Sequence, residues 1–307
     1  MKKFLIHLLF ALPFAVFAQK TDLEKAGLRG RVLEVRLITE ETDRRGFTFR
    51  RNPEITKYDS AGNISSLIIL ADDSIHTVQE VHYEYKGGLL VKKTDEMKVS
   101  ILSGMTEERY NWNDHGLLTE KRTWEGEAGR PAEKLTQKET YRYDARGNCI
   151  EDRLEIFFPS ARETTTRTVY NDSGRKLRIE NLQGGIRQGY TAYTYNGENR
   201  VKTETERDDS GRAMMTYIYN YDQDGNTTMV QGIQYNYPSA TIIRQTLTIN
   251  SYRNGLLVES TSENNSQNDI KTEYRYSDPD SHGNWTKKET IRNEKLSLME
   301  RRRIWYY

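Results

Sequence analysis

A short turn motif returns along this chain about every 27 residues, and a single-core globule is not built that way. Tyr58-Asp59-Ser60-Ala61-Gly62-Asn63 recurs as Tyr143-Asp144-Ala145-Arg146-Gly147-Asn148 and as Tyr221-Asp222-Gln223-Asp224-Gly225-Asn226. Shorter copies begin at Tyr85, Trp112, Tyr170, Tyr195, Tyr252 and Tyr276. The nine anchors are spaced by 27, 27, 31, 27, 25, 26, 31 and 24 residues. A period of this kind means one supersecondary unit per repeat, stacked on its neighbours.

The unit reads as a β-hairpin. Asp or Asn after the anchor suits the first position of a type I turn, where its side chain bonds nearby amides. Gly three residues later suits the left-handed residue that closes such a turn with a bulge. Asn199 fills that place where Gly is missing, and Asn is the next most tolerant residue there. Two residues before the anchors come Tyr83, Tyr110, Tyr141, Tyr193, Tyr219 and Tyr274, on the same strand face by period-two geometry. These two rows take 14 of the 20 tyrosines. Tyr suits a half-wet sheet face because its ring packs while its hydroxyl stays bonded or solvated. The ladder has two readings, a packed core or an aromatic ligand platform.

Beyond each turn stands a further row: Ile64, Leu90, Leu118, Cys149, Lys176, Val201, Thr227, Leu257 and Trp285. Most are apolar, so Cys149 reads as a small buried hydrophobe and not as the basic, partly exposed setting of a reactive thiol. Nine units give on the order of eighteen strands. The expected fold is therefore all-β, an elongated, twisted or partly rolled antiparallel sheet. Residues 51–307 hold the repeats and residues 19–50 a capping segment, with a possible helical turn at Thr21 to Lys25. Ile304-Trp305-Tyr306-Tyr307 could close the last edge.

The first 18 residues read as a secretory signal: Lys2 and Lys3, an apolar run from Phe4 to Phe17, and Val16-Phe17-Ala18 before Gln19. Its removal leaves 44 basic and 45 acidic residues, too balanced for phosphate neutralisation along a nucleic acid. No later apolar run is long enough to span a bilayer as a helix. The strands carry Lys, Glu and Arg throughout, which disfavours an outer-membrane barrel. The address expected is the periplasm, the cell surface or the medium.

The Tyr-Asp-x-x-Gly-Asn unit resembles the YD repeat of the rearrangement-hotspot (RHS) family over about residues 50–307. The layout resembles the small secreted YD-repeat proteins of Gram-negative bacteria, with Leu28-Arg29-Gly30-Arg31-Val32 at the entry and Gly283-Asn284-Trp285 in the last repeat. In large members such repeats imply a β-shell around a toxin. This chain has no further domain to enclose, so that role does not carry over. Carbohydrate binding is implied by the resemblance alone, and the family pattern brings no catalytic residues.

Catalytic signatures are missing: no His-Glu-x-x-His, no Gly-x-Ser-x-Gly, no phosphate loop and no dinucleotide fingerprint. His76, His82, His115 and His282 are scattered. Asp222 and Asp224 alternate before Gly225, and Asp278 and Asp280 form a similar pair, as in part of a calcium loop; turn initiation by Asp explains both. Arg301-Arg302-Arg303 reads as edge-strand charge or as a contact for acidic envelope polymers. The expectation is a non-catalytic extracytoplasmic protein without a cofactor, presenting a β-surface to a protein or cell-envelope partner. The alternative is a carbohydrate-binding surface using exposed Tyr, or Trp124, Trp285 and Trp305. Intact-mass analysis of the protein exported by a Gram-negative host should give a chain beginning at Gln19; a retained leader would refute the signal reading.

Overall fold

The computed structural model describes residues 21–43, 45–71, 75–99, 103–236, 239–264 and 267–307. The signal reading of 1–18 lies outside them. Asp22–Lys25 form one helical turn, α1, closed by a capping box between Thr21 and Glu24. Twenty-one strands follow. The first ten are β1 (Val32–Thr42), β2 (Thr48–Arg50), β3 (Glu54–Tyr58), β4 (Ile64–Leu70), β5 (Thr77–Lys86), β6 (Leu89–Met97), β7 (Gly104–Trp112), β8 (Leu118–Gly126), β9 (Lys134–Tyr143) and β10 (Cys149–Ile156). The next six are β11 (Arg162–Tyr170), β12 (Lys176–Gln183), β13 (Ile186–Tyr195), β14 (Val201–Asp208), β15 (Ala213–Tyr221) and β16 (Thr227–Tyr235). The last five are β17 (Ile242–Arg253), β18 (Leu256–Asn264), β19 (Gln267–Pro279), β20 (Trp285–Arg292) and β21 (Lys295–Tyr306).

From β3 onward each strand pairs antiparallel with the next. The first strand then pairs with the last: Val35 lies opposite Ile304, Leu37 opposite Arg302 and Glu41 opposite Leu298. The other edge of β1 takes β2 at Glu40–Thr42 and β3 at Glu34–Leu37. β2 and β3 thus share one position, interrupted around Pro53, which has no N–H to give. The result is a closed barrel of twenty staves.

Closure corrects the expectation of an open, twisted or rolled sheet, and with it the reading of the chain as an open array of hairpin repeats. An open sheet of this length would leave two bare edges, and pairing β1 with β21 removes both. The two terminal strands hide these edges by pairing with each other. With strands about 4.8 Å apart and tilted, twenty staves span roughly 40 Å across. The molecule exposes 21034 Å², against roughly 13,000 Å² for a compact chain of its mass, as expected of a hollow shell.

All nine anchor turns stand on one rim, and the two chain ends occupy the tenth place on it. Seven turns span five residues. In each, one side-chain oxygen of the Asp or Asn that opens the turn accepts backbone amides, as Asp144 does from Arg146 and Asn148; in the last turn this opener is Asp280, after Pro279. Its second oxygen accepts from the Asn after the Gly: Asn148 Nδ2 to Asp144 Oδ2 at 2.8 Å, and Asn226 to Asp222 at 2.9 Å. This is why the fullest motif copies end in Gly-Asn. Asn199 takes φ 66° in the glycine place. The Tyr85 and Tyr252 copies differ, since Gly87-Gly88 and Asn254-Gly255 make two-residue turns.

At the seam, Asn284 is buried, and its Oδ1 accepts from the Arg29 amide at 2.7 Å. Its Nδ2 donates to the Arg29 carbonyl at 2.9 Å and to the Tyr306 hydroxyl at 2.8 Å. Tyr306 in turn donates to Asp280 and stacks on His282. Val32, Val35 and Tyr58 form the small core beside it, covered by Leu23, Leu28, Ile64 and Ile304. Asn284→Ala should lower unfolding stability by about 1–3 kcal/mol, a fall in Tm on the order of 5 °C by calorimetry.

The seam should also depend on pH. Burial raises the Asp280 carboxyl, but bonds from Tyr306, Asn284 and His282 outweigh it and hold the group below its usual range. Its contribution is present above about pH 4 and is lost as pH falls through the lowered folded value. Burial and the bond to Asp280 push Tyr306 up to about 12, so its contribution holds below about pH 10 and is lost as pH rises through the folded value. Wild-type Tm against pH should show a plateau between these limits; in Tyr306→Phe the plateau should be lower and its alkaline fall-off weaker, because the group that titrates there is gone.

Candidate functional site

Alternation gives the barrel two unlike surfaces. One carries the tyrosine rows, and the other is a lattice of ion pairs: Arg36–Glu34, Lys92–Glu107, Arg122–Glu120, Lys138–Glu155, Arg153–Glu163, Arg167–Glu151 and Arg301–Glu40 among them. Cations on the tyrosine side (Lys93, Lys121, Lys288) are 22–29% exposed. Arginines on the other side run from 44 to 69%. Side chains converge inside a curved sheet and splay apart outside it. The tyrosine surface is therefore the interior and the ion-pair lattice the exterior.

The inner wall is built from the repeat's own backbone. The strand leaving most anchor turns is bulged opposite the anchor: β13 and β14 shift register between Thr194 and Tyr195, and β15 and β16 between Asn220 and Tyr221. Such a bulge disrupts the ladder, and the next anchor reaches across to its carbonyl. Trp112 Nε1 donates to Leu90 O (2.8 Å), Tyr143 to Leu118 O (2.7 Å) and Tyr170 to Cys149 O (3.0 Å). Tyr195 donates to Lys176 O (2.8 Å) and Tyr221 to Val201 O (2.9 Å). The anchor must carry a donor as well as a ring, so Trp replaces Tyr at 112 and Phe does not. In the first repeats α1 intervenes: Asp22 accepts both from the Ile64 amide and from Tyr85. Across the seam Tyr307 donates to Tyr58 O at 2.8 Å.

The second tyrosine row binds carboxylates. Tyr110 donates to Glu108 at 2.6 Å and Tyr141 to Glu139 at 2.5 Å. Glu204 receives Tyr193 (3.5 Å) and Tyr219 (3.2 Å). Burial, then the neighbouring Glu204, pushes both of these hydroxyls up to about 12, so they stay protonated donors. Gly232 leaves room on this wall: a Cβ there would meet Thr246 at 2.6 Å and the Tyr217 ring at 3.6 Å. Asp152, also inward, is raised by burial and then by Glu139.

The three tryptophans named from the sequence do not form a site together. Trp124 (β8) faces outward under Arg109, whose guanidinium lies 4.7 Å from the ring centre. Trp305 (β21) faces outward beside Arg36 at 5.1 Å. Trp285 (β20) faces inward, with Arg302 at 3.0 Å over one face and Tyr276 edge-on at 5.6 Å. Burial lowers the Arg302 pKa to about 10, so it remains cationic at neutral pH. Each indole already has a cation at its face. The acidic turns are occupied as well, since Asp222 accepts from the Asn226 amide and side chain. Cys149 is half-buried, burial pushes its thiol up, and its carbonyl serves Tyr170.

No family model matches the chain, and no curated protein does. Solved structures that resemble it include a porin-like protein from Bacteroides uniformis, 11% identical over 89% of this chain and 96% of that one, with a TM-score of 0.37. Another is a porin-like protein from Bacteroides vulgatus, 13% identical over 90% and 99%, with a TM-score of 0.32. The description of the chain as a hairpin-repeat array gives way to a closed barrel. The barrel itself rests on the pairing of β1 with β21. Among the described residues no helix is long and apolar enough to cross a membrane.

Tyr143→Phe should cost about 1 kcal/mol by removing the bond to Leu118 O while keeping the ring. Tyr143→Ala should cost about 3 kcal/mol or more. A Tyr143→Phe chain as stable as wild type in chemical denaturation would show that the hydroxyl contributes nothing.

Proposed function

We propose that this protein is a water-soluble, extracytoplasmic binding barrel without catalytic chemistry, and that its tyrosine-lined interior holds a protein segment or a cell-envelope polymer. One observation carries this reading: the interior is hollow, and it is lined by half-buried tyrosines whose hydroxyls are fixed on carboxylates and bulge carbonyls. Such a wall offers ring surface and oriented hydroxyl acceptors at little conformational cost. The carbohydrate alternative draws on these inward tyrosines and on the outward Trp305, which keeps 38% of its surface exposed beside Arg36.

Solubility follows from the exterior. Outward Lys92, Arg109, Arg122, Lys138, Arg153, Arg167 and Arg178 lie mid-strand on β6 to β12. Each Arg or Lys facing lipid near the midplane costs about 2–4 kcal/mol, so a lipid-facing wall here would be prohibitive. The leader sequence supports an extracytoplasmic address.

The mature protein should run as a soluble species without detergent. On a panel of immobilised envelope glycans, peptidoglycan fragments and unfolded peptides, Tyr193→Ala and Tyr219→Ala should weaken binding at least about tenfold, and the exterior variant Arg142→Ala should not. Ion conductance in planar bilayers, or binding that follows the exterior variant alone, would overturn this reading.

A further inference from the structure

The exterior lattice of charges has one gap. Outward positions of β15 are Met214, Thr216, Ile218 and Asn220; those of β16 are Met229, Gln231, Ile233 and Tyr235; those of β17 are Ile243, Gln245, Leu247, Ile249 and Ser251. None is charged. On β13 and β14 the outward Tyr190, Ala192, Thr194, Thr203 and Thr205 extend the gap, and Arg207 is turned onto the Gly211 carbonyl at 2.8 Å. Elsewhere every strand except β4 carries an outward charged residue.

The gap is apolar, open and prepared for drying. Met214, Ile243 and Ile249 are 52, 55 and 46% exposed. Cross-strand register places Met229 beside Ile249 and Gln231 beside Leu247. The polar side chains among them are partly satisfied laterally: Thr194 with Thr203 at 2.6 Å, Thr216 with Thr205 at 3.3 Å, and Asn220 Nδ2 on the Met229 sulfur at 3.7 Å. A polar group already bonded within its own surface loses little when water leaves. A patch of this kind on an otherwise charged exterior marks an interface.

We propose that this face is where two copies of the chain meet about a two-fold axis. Area decides the occupant. Five strands at about 4.8 Å by some eight residues of length give roughly 600 Å² per copy, hence about 1,200 Å² in a pair, at the threshold of a stable interface. A two-fold contact needs only a surface complementary to itself. Between Arg207 and Arg253 at its two ends the strip is uncharged and meets that condition, because apposing two such strips along their middle buries no unpaired charge. Met214 and Met229 supply flexible filling between the branched side chains. The interior stays free, so dimerisation and interior binding are independent.

Sedimentation equilibrium of the mature protein should show a monomer–dimer equilibrium. Ile233→Lys and Ile249→Lys should each weaken it at least about tenfold. Met105→Lys, outward on β7 and outside the gap, should leave it unchanged. Both positions point to solvent in the monomer, so circular dichroism and Tm should match wild type; a variant that fails to fold is replaced by Ile243→Glu. A wild-type chain that stays monomeric up to roughly 1 mM, or dimers indifferent to the gap variants, would overturn the proposal. So would vesicle flotation of the wild type that Ile233→Lys abolishes, since the face would then serve lipid.

Discussion

The hydrogen-bonded seam between β1 and β21 is what the rest of the structure depends on. Nineteen antiparallel junctions join neighbours along the chain, each closed by a short connection. The twentieth joins residues more than 260 positions apart, as Glu40 and Arg301 show. Without it the sheet has two free edges and no inside. With it, one strand face is enclosed and the other meets water. The seam is reinforced where the chain ends are brought together. Asn284 holds the Arg29 backbone, Tyr306 links Asn284 to Asp280, and Tyr307 caps Tyr58. These are polar contacts of the anchor-turn rim, reused for closure.

Stability is spread along the wall. Among the described residues, the tight apolar cluster is the one at the seam around Val32, Val35 and Tyr58. Elsewhere the staves are held by their ladders and anchor rings, and from Trp112 to Tyr221 by a ring donor placed on the carbonyl that a bulge sets free. That last bond couples each of these hairpins to the one before it, so an error in one turn is felt in the next. The interior lining is thus structural and chemical at once. The same tyrosines that brace the wall are the groups a ligand would meet.

The exterior makes a separate statement. Paired charges cover most of it, and exposed pairs of this sort add little stability each. They set which surfaces the barrel tolerates. Against that background the uncharged stretch of β15 to β17 has no role in a lone barrel, and a second copy supplies one.

The sequence by itself determined the strand-and-turn grammar: nine anchor turns, the Asp or Asn that opens most of them, the glycine or Asn199 that closes them, and the sharing of one face by the tyrosine rows. These are local, fixed by φ, by side-chain reach and by period-two alternation within a few residues. It also showed that Lys, Glu and Arg run through most of the strands, with β4, β15 and β16 free of charge. Only the tertiary structure decided that the sheet closes, which face is inside, and that the rings of Trp124, Trp285 and Trp305 lie beneath arginines. Closure depends on accumulated twist and on pairing between the two ends, and no local window contains either. The role of the row holding Leu90, Leu118 and Cys149 was half legible. Its apolar side chains are in the sequence, but its exposed carbonyl exists only once a bulge has formed and a tyrosine from the next hairpin has come within 3 Å.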